Sequence, residues 1–186
     1  MYRYSCDHCN GHYVCREGNH GVFAGCSNFP NCYSSKNLHD IAYQYIEQYG
    51  VGMYHWDREC WKCHLITPIV SYYIGYELEE IECFPDGFYF AVGLGDIPIL
   101  DRYLARKYSH IMPRYSHTTH ETYMANTCVH CHATQGRNYV VDDPHEIFSE
   151  LYHDHTLEKF LIERVKVDNP RESMPELKMI IKEQLQ

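Results

Sequence analysis

The chain has 186 residues, enough for one or two domains with a modest core, and its net charge of -9 argues against nonspecific attachment to polyanions. No run of about 18 uncharged apolar residues occurs, so no transmembrane helix is expected, and Met1-Tyr2-Arg3-Tyr4-Ser5-Cys6 lacks the apolar core of a secretory signal. Ten cysteines without such a signal predict a reduced, cytosolic metalloprotein rather than a disulfide scaffold.

Eight of these cysteines form two sets of four. Cys6-Asp7-His8-Cys9 is followed after sixteen residues by Cys26 and after five more by Cys32. Cys60-Trp61-Lys62-Cys63 is followed after sixty-four residues by Cys128-Val129-His130-Cys131. A C-x2-C turn projects two thiolates toward one point, and two such arms supply the four soft ligands that Zn²⁺ favours. Two zinc ions are therefore expected, one on Cys6, Cys9, Cys26 and Cys32, the other on Cys60, Cys63, Cys128 and Cys131.

In chain order, residues 6–18 read as a knuckle, a strand and a turn, and residues 21–32 as a second strand running into a second knuckle. Gly18 and Gly21 suit the positive φ of a tight hairpin. So small a unit depends on its metal to fold. The opening C-x2-C, the stretch Gly21-Val22-Phe23-Ala24-Gly25-Cys26-Ser27 and the close Phe29-Pro30-Asn31-Cys32 together resemble the C-terminal four-cysteine zinc ribbon of bacterial type IA DNA topoisomerases. The resemblance covers about thirty residues, including loop positions as well as ligands. It implies a zinc ribbon that binds single-stranded DNA. Tyr13, Phe23, Phe29 and Tyr33 offer stacking faces, with Arg3, Arg16 and Lys36 near phosphates, and Tyr13, Arg16, Phe29, Tyr33 and Lys36 are the five candidate contacts. Phe23 and Phe29 have an alternative role as the ribbon's own core. The remaining topoisomerase domains do not fit in 186 residues.

Residues 37–50 predict a helix that stops at Gly50, with Leu38, Ile41, Tyr45 and Ile46 near one face. Val51 to Glu59 reads as extended, Leu65 to Tyr76 as a β-branched and aromatic strand, Gly87 to Val92 as another strand, and Ile97 to Tyr108 as an amphipathic helix with Pro98 in its first turn. Residues 115–136 carry the second C-x2-C arm. Pro144 to Tyr152 reads as an acidic helix and Pro175 to Leu185 as a helix with Leu177, Ile180, Ile181 and Leu185 in its apolar stripe. The expected fold is α+β: a ribbon over residues 1–36, a linker helix over 37–50, and a mixed domain over 51–186 built around a split four-cysteine site.

The same residues admit other chemistry. Cys60-x-x-Cys63-His64 and Cys128-x-x-Cys131-His132 match the c-type haem attachment pattern, which requires an export signal not found at this start. Residues 60–132 loosely resemble the ββα-metal (HNH-type) nucleases, whose four-cysteine zinc brackets a His-x-x-Pro stretch and an Asn. That resemblance implies His110 as the group activating water, Asn126 as the residue orienting its loop and His132 as a ligand of a divalent metal. His117, His120, His153 and His155 lack H-E-x-x-H spacing and read as exposed. Cys15 and Cys83 read as buried thiols.

Charge is unevenly distributed. Residues 1–40 balance three bases against three acids, while residues 102–140 hold Arg102, Arg106, Lys107, Arg114 and Arg137 against Glu121 alone. Residues 141–186 hold eleven acids and six bases. The resulting expectation is a two-zinc binding protein that engages single-stranded nucleic acid through its ribbon, not an enzyme. Two alternatives stand beside it: a protein-interaction or inhibitory (immunity-like) role, with a basic partner on the acidic C-terminal region, and a metal-dependent nuclease.

Overall fold

A computed structural model describes residues 2–85, 92–136 and 157–185. It is a mixed helix and sheet structure, and the chain divides into two units that interleave along the sequence. The first comprises Met1–Val51, Tyr73–Val92 and Lys166–Gln186; the second comprises Gly52–Tyr72 and Gly93–Val165. The strand expected from Gly87, apart from Val92, and the acidic helix expected over 144–152 lie outside the described residues.

The first unit begins with a three-stranded antiparallel sheet in the order β1 (Tyr13–Gly18), β2 (Gly21–Cys26), β3 (Ser35–Lys36). Tyr13 pairs with Cys26 and Gly18 with Gly21, so Asn19 and His20 make a two-residue turn. Only Gly21 takes the left-handed backbone there, at φ 96°. Gly18 is held instead by space, since a Cβ would stand 3.1 Å from the Phe23 ring. Helix α1 (Leu38–Tyr49) buries Leu38, Ile41, Ala42, Tyr45 and Ile46, and ends at Gly50, whose φ of 74° lets its amide reach the Ile46 carbonyl at 2.8 Å.

Ile74 to Tyr76, expected to end the preceding strand, instead open helix α2 (Ile74–Glu79). The chain after it lies along the ribbon. Tyr2 and Ile81 form a parallel bridge, the Cys15 amide donates to the Glu82 carbonyl at 3.2 Å, and the buried Cys83 thiol donates to the Tyr13 carbonyl at 3.2 Å. Burial, then the Glu82 carboxylate, push the Cys83 thiol up to about 12.

Among the C-terminal helices, α4 (Pro170–Ser173) and α5 (Pro175–Gln184) pack on α1. Leu177 and Ile181 are buried, Ile180 and Leu185 half-buried. The Tyr43 hydroxyl donates to the Met174 carbonyl at 2.9 Å, and Arg171 pairs with Asp40.

The second unit holds two three-stranded sheets. One has the order β5 (Ile66–Tyr72), β4 (Val51–Glu59), β9 (Leu161–Val165); the other runs β6 (Ile111–Ser116), β7 (Glu121–Thr127), β8 (Thr134–Gln135). Helix α3 (Pro98–Lys107) packs on β6. Its start is fixed by the buried Tyr72 hydroxyl, which accepts from the Ile97 amide and donates to Asp101, both at 2.8 Å. Asn126 ties β7 to β5 from within. Its side-chain oxygen accepts from the Val70 amide at 3.0 Å and its amide donates to the Val70 carbonyl at 2.9 Å, mimicking one rung of a strand ladder.

Candidate metal centres and nucleic-acid interface

In each unit the fold brings four thiols to one point. The Sγ atoms of Cys6, Cys9, Cys26 and Cys32 all lie within 4.8 Å of one another, as do those of Cys60, Cys63, Cys128 and Cys131. Four of these separations are 3.8 Å for Cys6–Cys32, 3.4 Å for Cys9–Cys26, and 3.7 Å for both Cys60–Cys131 and Cys63–Cys128. Four thiolates around zinc at Zn–S distances of about 2.3 Å stand about 3.8 Å apart. The donor sets therefore fit zinc, and each quartet can hold one ion. The two arms separated by sixty-four residues close on a single centre.

Donors around the sulfurs complete the fit. In the first quartet the amides of His8, Gly11 and Asn28 point at Cys6, Cys9 and Cys26, at 3.5, 3.3 and 3.4 Å, and the Asn28 side chain donates to Cys9 at 3.4 Å. In the second, the amides of Lys62 and His130 reach Cys60 and Cys128, each at 3.4 Å, and Gln135 Nε2 reaches Cys60 at 3.3 Å. The His8 amide, above all, holds the Cys6 thiol below its ordinary range. At Cys60 burial works the other way, but the amides of Cys63 and Lys62 together with the Cys128 and Cys131 thiols outweigh it, while the partner thiols Cys26, Cys32 and Cys63 are pushed up. Thiolate is the form a metal takes. Asn28 and Gln135 were not anticipated as second partners of the sulfurs. Asn28 sits in a knuckle, where such donors are common, but nothing local marks Gln135.

On the ribbon, the five anticipated nucleic-acid contacts separate into two groups. Phe29 is 54% exposed and Tyr33 is 77% exposed; their rings meet edge to face at 5.3 Å. The Arg16 guanidinium lies 5.5 Å from the centre of the Phe29 ring and donates to the Cys26 carbonyl at 3.0 Å. These three side chains and the half-buried Phe23 line a groove of about 610 Å³. Gly25 leaves room for this arrangement, since a Cβ there would collide with the Arg16 side chain and stand 2.9 Å from its Nε.

Tyr13 and Lys36 belong to the interior and its rim. Tyr13 is fully buried, bonded through its hydroxyl to Ser34 at 2.8 Å and to Asp7 at 3.1 Å. Lys36 lies over the Tyr13 ring at 5.3 Å and pairs with Asp7 at 2.8 Å. That pairing holds the Asp7 carboxyl below its usual range.

The residues singled out for a nuclease are placed as follows. Asn126 has both side-chain polar atoms on the Val70 backbone. His110 is half-buried with Nε2 lacking a hydrogen-bond partner, and its carbonyl accepts from the Thr127 amide and hydroxyl, each at 2.8 Å. His132 is exposed in the second knuckle. Among the described residues, the two cysteine quartets are the groups of three or more His, Cys, Asp or Glu whose ligand atoms converge. Of the basic segment, Arg102 and Arg106 are exposed, Lys107 is paired with Glu163 at 2.6 Å, and Arg137 lies outside the described residues. Among the described residues, no helix is long and apolar enough to cross a membrane.

Residues 3–41 match the family model of the topoisomerase DNA-binding C4 zinc finger. The match spans the first quartet and runs into α1. No curated protein and no solved structure matches the chain.

Proposed function

We propose that this chain is a two-zinc nucleic-acid-binding protein whose N-terminal ribbon holds a single strand. Phe29 and Tyr33 act as stacking faces for bases, and Arg16 as the contact to phosphate. The observation that carries the reading is the exposed Phe29–Tyr33 pair beside Arg16, within the segment that matches a DNA-binding zinc finger. A surface that leaves two large aromatic rings in solvent next to a guanidinium is chemically suited to unpaired bases, because every base has a π face. The zincs are structural in this reading: four sulfurs fill each coordination shell, leaving no open position for a substrate.

Lys36 contributes differently. With its charge matched by Asp7 and its stem on Tyr13, it supports the ribbon's packing, as does the buried ring beneath it. The overall charge of -9 keeps nonspecific affinity low, so binding depends on the few local contacts and weakens as salt rises.

The test is fluorescence anisotropy of the zinc-loaded protein with labelled single-stranded oligonucleotides across a salt series. Tyr33→Ala and Phe29→Ala each weaken binding by about 5- to 150-fold, the range for loss of one stacked base. No binding at low salt rejects the reading and leaves the acidic region 141–186, facing a basic protein partner, as the functional surface.

A further inference from the structure

At the second metal centre the tip made by the knuckle at residues 60–63 and its neighbours turns apolar side chains into solvent. Trp61 sits between Cys60 and Lys62 with 51% of its surface exposed, and Leu65, Ile66 and Val129 are exposed with it. Polar atoms of this tip are already satisfied internally. The Trp61 indole donates to the Thr134 carbonyl at 2.8 Å, the His130 ring donates to the Ile66 carbonyl at 2.9 Å, and the Val129 amide donates to the Thr67 hydroxyl at 3.1 Å. What remains facing outward is an indole held in one orientation by its own N–H, and apolar surface around it. A ring fixed in this way loses little conformational freedom on meeting a planar ligand.

Two basic side chains belong to the same centre. Lys62 is the residue after Trp61 and exposed. Arg114 donates to the His132 carbonyl at 3.3 Å, two residues along the chain from the carbonyl that holds Trp61. Two residues span at most about 7 Å, which bounds the separation of the two carbonyls that hold the guanidinium and the indole. Glu59, the carboxylate beside this knuckle, is paired with His64 at 2.7 Å. Neither residues 60–63 nor residues 128–136 contain an acidic side chain, in a protein that is negative overall. An apolar π face with cations at the same centre is complementary to unpaired bases joined by phosphates.

We propose that this knuckle is a second, independent binding site for single-stranded nucleic acid, with Trp61 as the stacking platform and Lys62 and Arg114 as phosphate contacts. The site does not rest on the ribbon's Phe29 and Tyr33, and it assigns the second zinc a role in presenting a ligand surface.

Tryptophan fluorescence tests it directly, because the chain has two tryptophans and the other, Trp56, is buried. The full-length, zinc-loaded protein is titrated with unlabelled oligothymidylate and oligouridylate. The emission of Trp61→Phe, which reports Trp56 alone, is subtracted. Quenching of Trp61 is expected in the wild type and also in a Phe29→Ala/Tyr33→Ala double variant. Trp61→Ala weakens the double variant's oligonucleotide binding by about 5- to 150-fold, while Trp61→Phe, which keeps a ring but loses the N–H, retains most of it. Zinc content of two per chain in each variant excludes loss of the knuckle itself. Trp61 emission that stays constant at oligonucleotide concentrations saturating the ribbon overturns the proposal, as does equal loss in Trp61→Phe and Trp61→Ala. Binding that survives the double variant but not Trp61→Ala upholds this site and removes the ribbon reading instead.

Discussion

His64 and His132 hold the same place in the two halves of the second metal centre. Each follows the second cysteine of its C-x2-C, with φ of 60° and 58°, and each donates its amide to the carbonyl of the first cysteine, at 2.9 and 3.0 Å. The first-cysteine amides match as well: Cys60 donates to Leu65 and Cys128 to Ala133, both at 2.9 Å. The two knuckles are therefore near-copies, and the histidines of the apparent haem pattern are the residues that turn the chain back after its thiols. A left-handed backbone penalises a β-branched side chain and suits glycine. His64→Gly and His132→Gly should hold the zinc-loaded stability to within about 0.5 kcal/mol, whereas His132→Val lowers it by about 1–2 kcal/mol, as denaturant midpoints will report.

Each quartet is contained in one unit, so the two metals should be separable by substitution. Cys9→Ser is expected to reduce metal content from two zincs to one while leaving the second centre loaded; Cys131→Ser does the reverse. Indicator-dye release after thiol modification counts the ions. Cobalt substitution reports whether the surviving centre keeps a tetrahedral thiolate spectrum.

The glycine at position 25 predicts a separation of stability from binding. Alanine there collides with the Arg16 side chain, which is flexible enough to swing away. Gly25→Ala should lower stability by no more than about 1 kcal/mol yet weaken single-strand binding as much as Arg16→Ala does. Both variants should also flatten the salt dependence by about one phosphate contact. Anisotropy at three or more salt concentrations gives both quantities.

Asn126 makes a paired bond to one residue's backbone in a buried place. Truncating it strands the Val70 amide and carbonyl, so Asn126→Ala should destabilise the protein by about 2–4 kcal/mol. Asn126→Asp keeps the acceptor but sets a carboxylate against the Val70 carbonyl. It should be similarly harmful at neutral pH and partly recover in acid, where the protonated carboxyl can donate. Urea denaturation at two pH values distinguishes the two.

Burial holds the histidines His39 and His110 below their ordinary range, with His55 adding to the effect at His110. Their neutral forms are favoured in the folded chain. The unfolded chain takes up protons near pH 6.5 and the folded one only further down, so their contribution is complete above that value. It is lost as the pH falls from about 6.5 through the lowered values. His110→Phe removes an unpartnered buried nitrogen and should leave stability at pH 7.5 unchanged or raised, while reducing the loss between pH 7 and pH 5.5. Parallel zinc measurements separate this from acid release of the metals.

Much of this was legible because metal ligation writes itself in short spacings. Both quartets can be read from short cysteine spacings, three C-x2-C pairs and the Cys26-x5-Cys32 close, although only three-dimensional structure could show that arms sixty-four residues apart share one centre. The hairpin was legible from its glycines, but not which of them would be left-handed, since Phe23 decides the role of Gly18. Tyr13 shows the limit most clearly. Its aromatic character is visible, but its burial depends on Asp7 and on Ser34 and Lys36 arriving from two other segments. Ile74 to Tyr76 have enough aromatic and β-branched neighbours upstream to read as the end of a strand, yet they open a helix once Tyr73 is passed. The return of residues 80–83 to the ribbon is a long-range pairing that no local pattern announces.

The distance between the halves of the second centre has a kinetic meaning. At roughly 5–20 residues per second, Cys60 and Cys63 leave the ribosome several seconds before Cys128 and Cys131 exist. For that interval the growing chain displays an incomplete chelator, open to oxidation and to softer ions. The ribbon at the N-terminus has by then already received its last thiol.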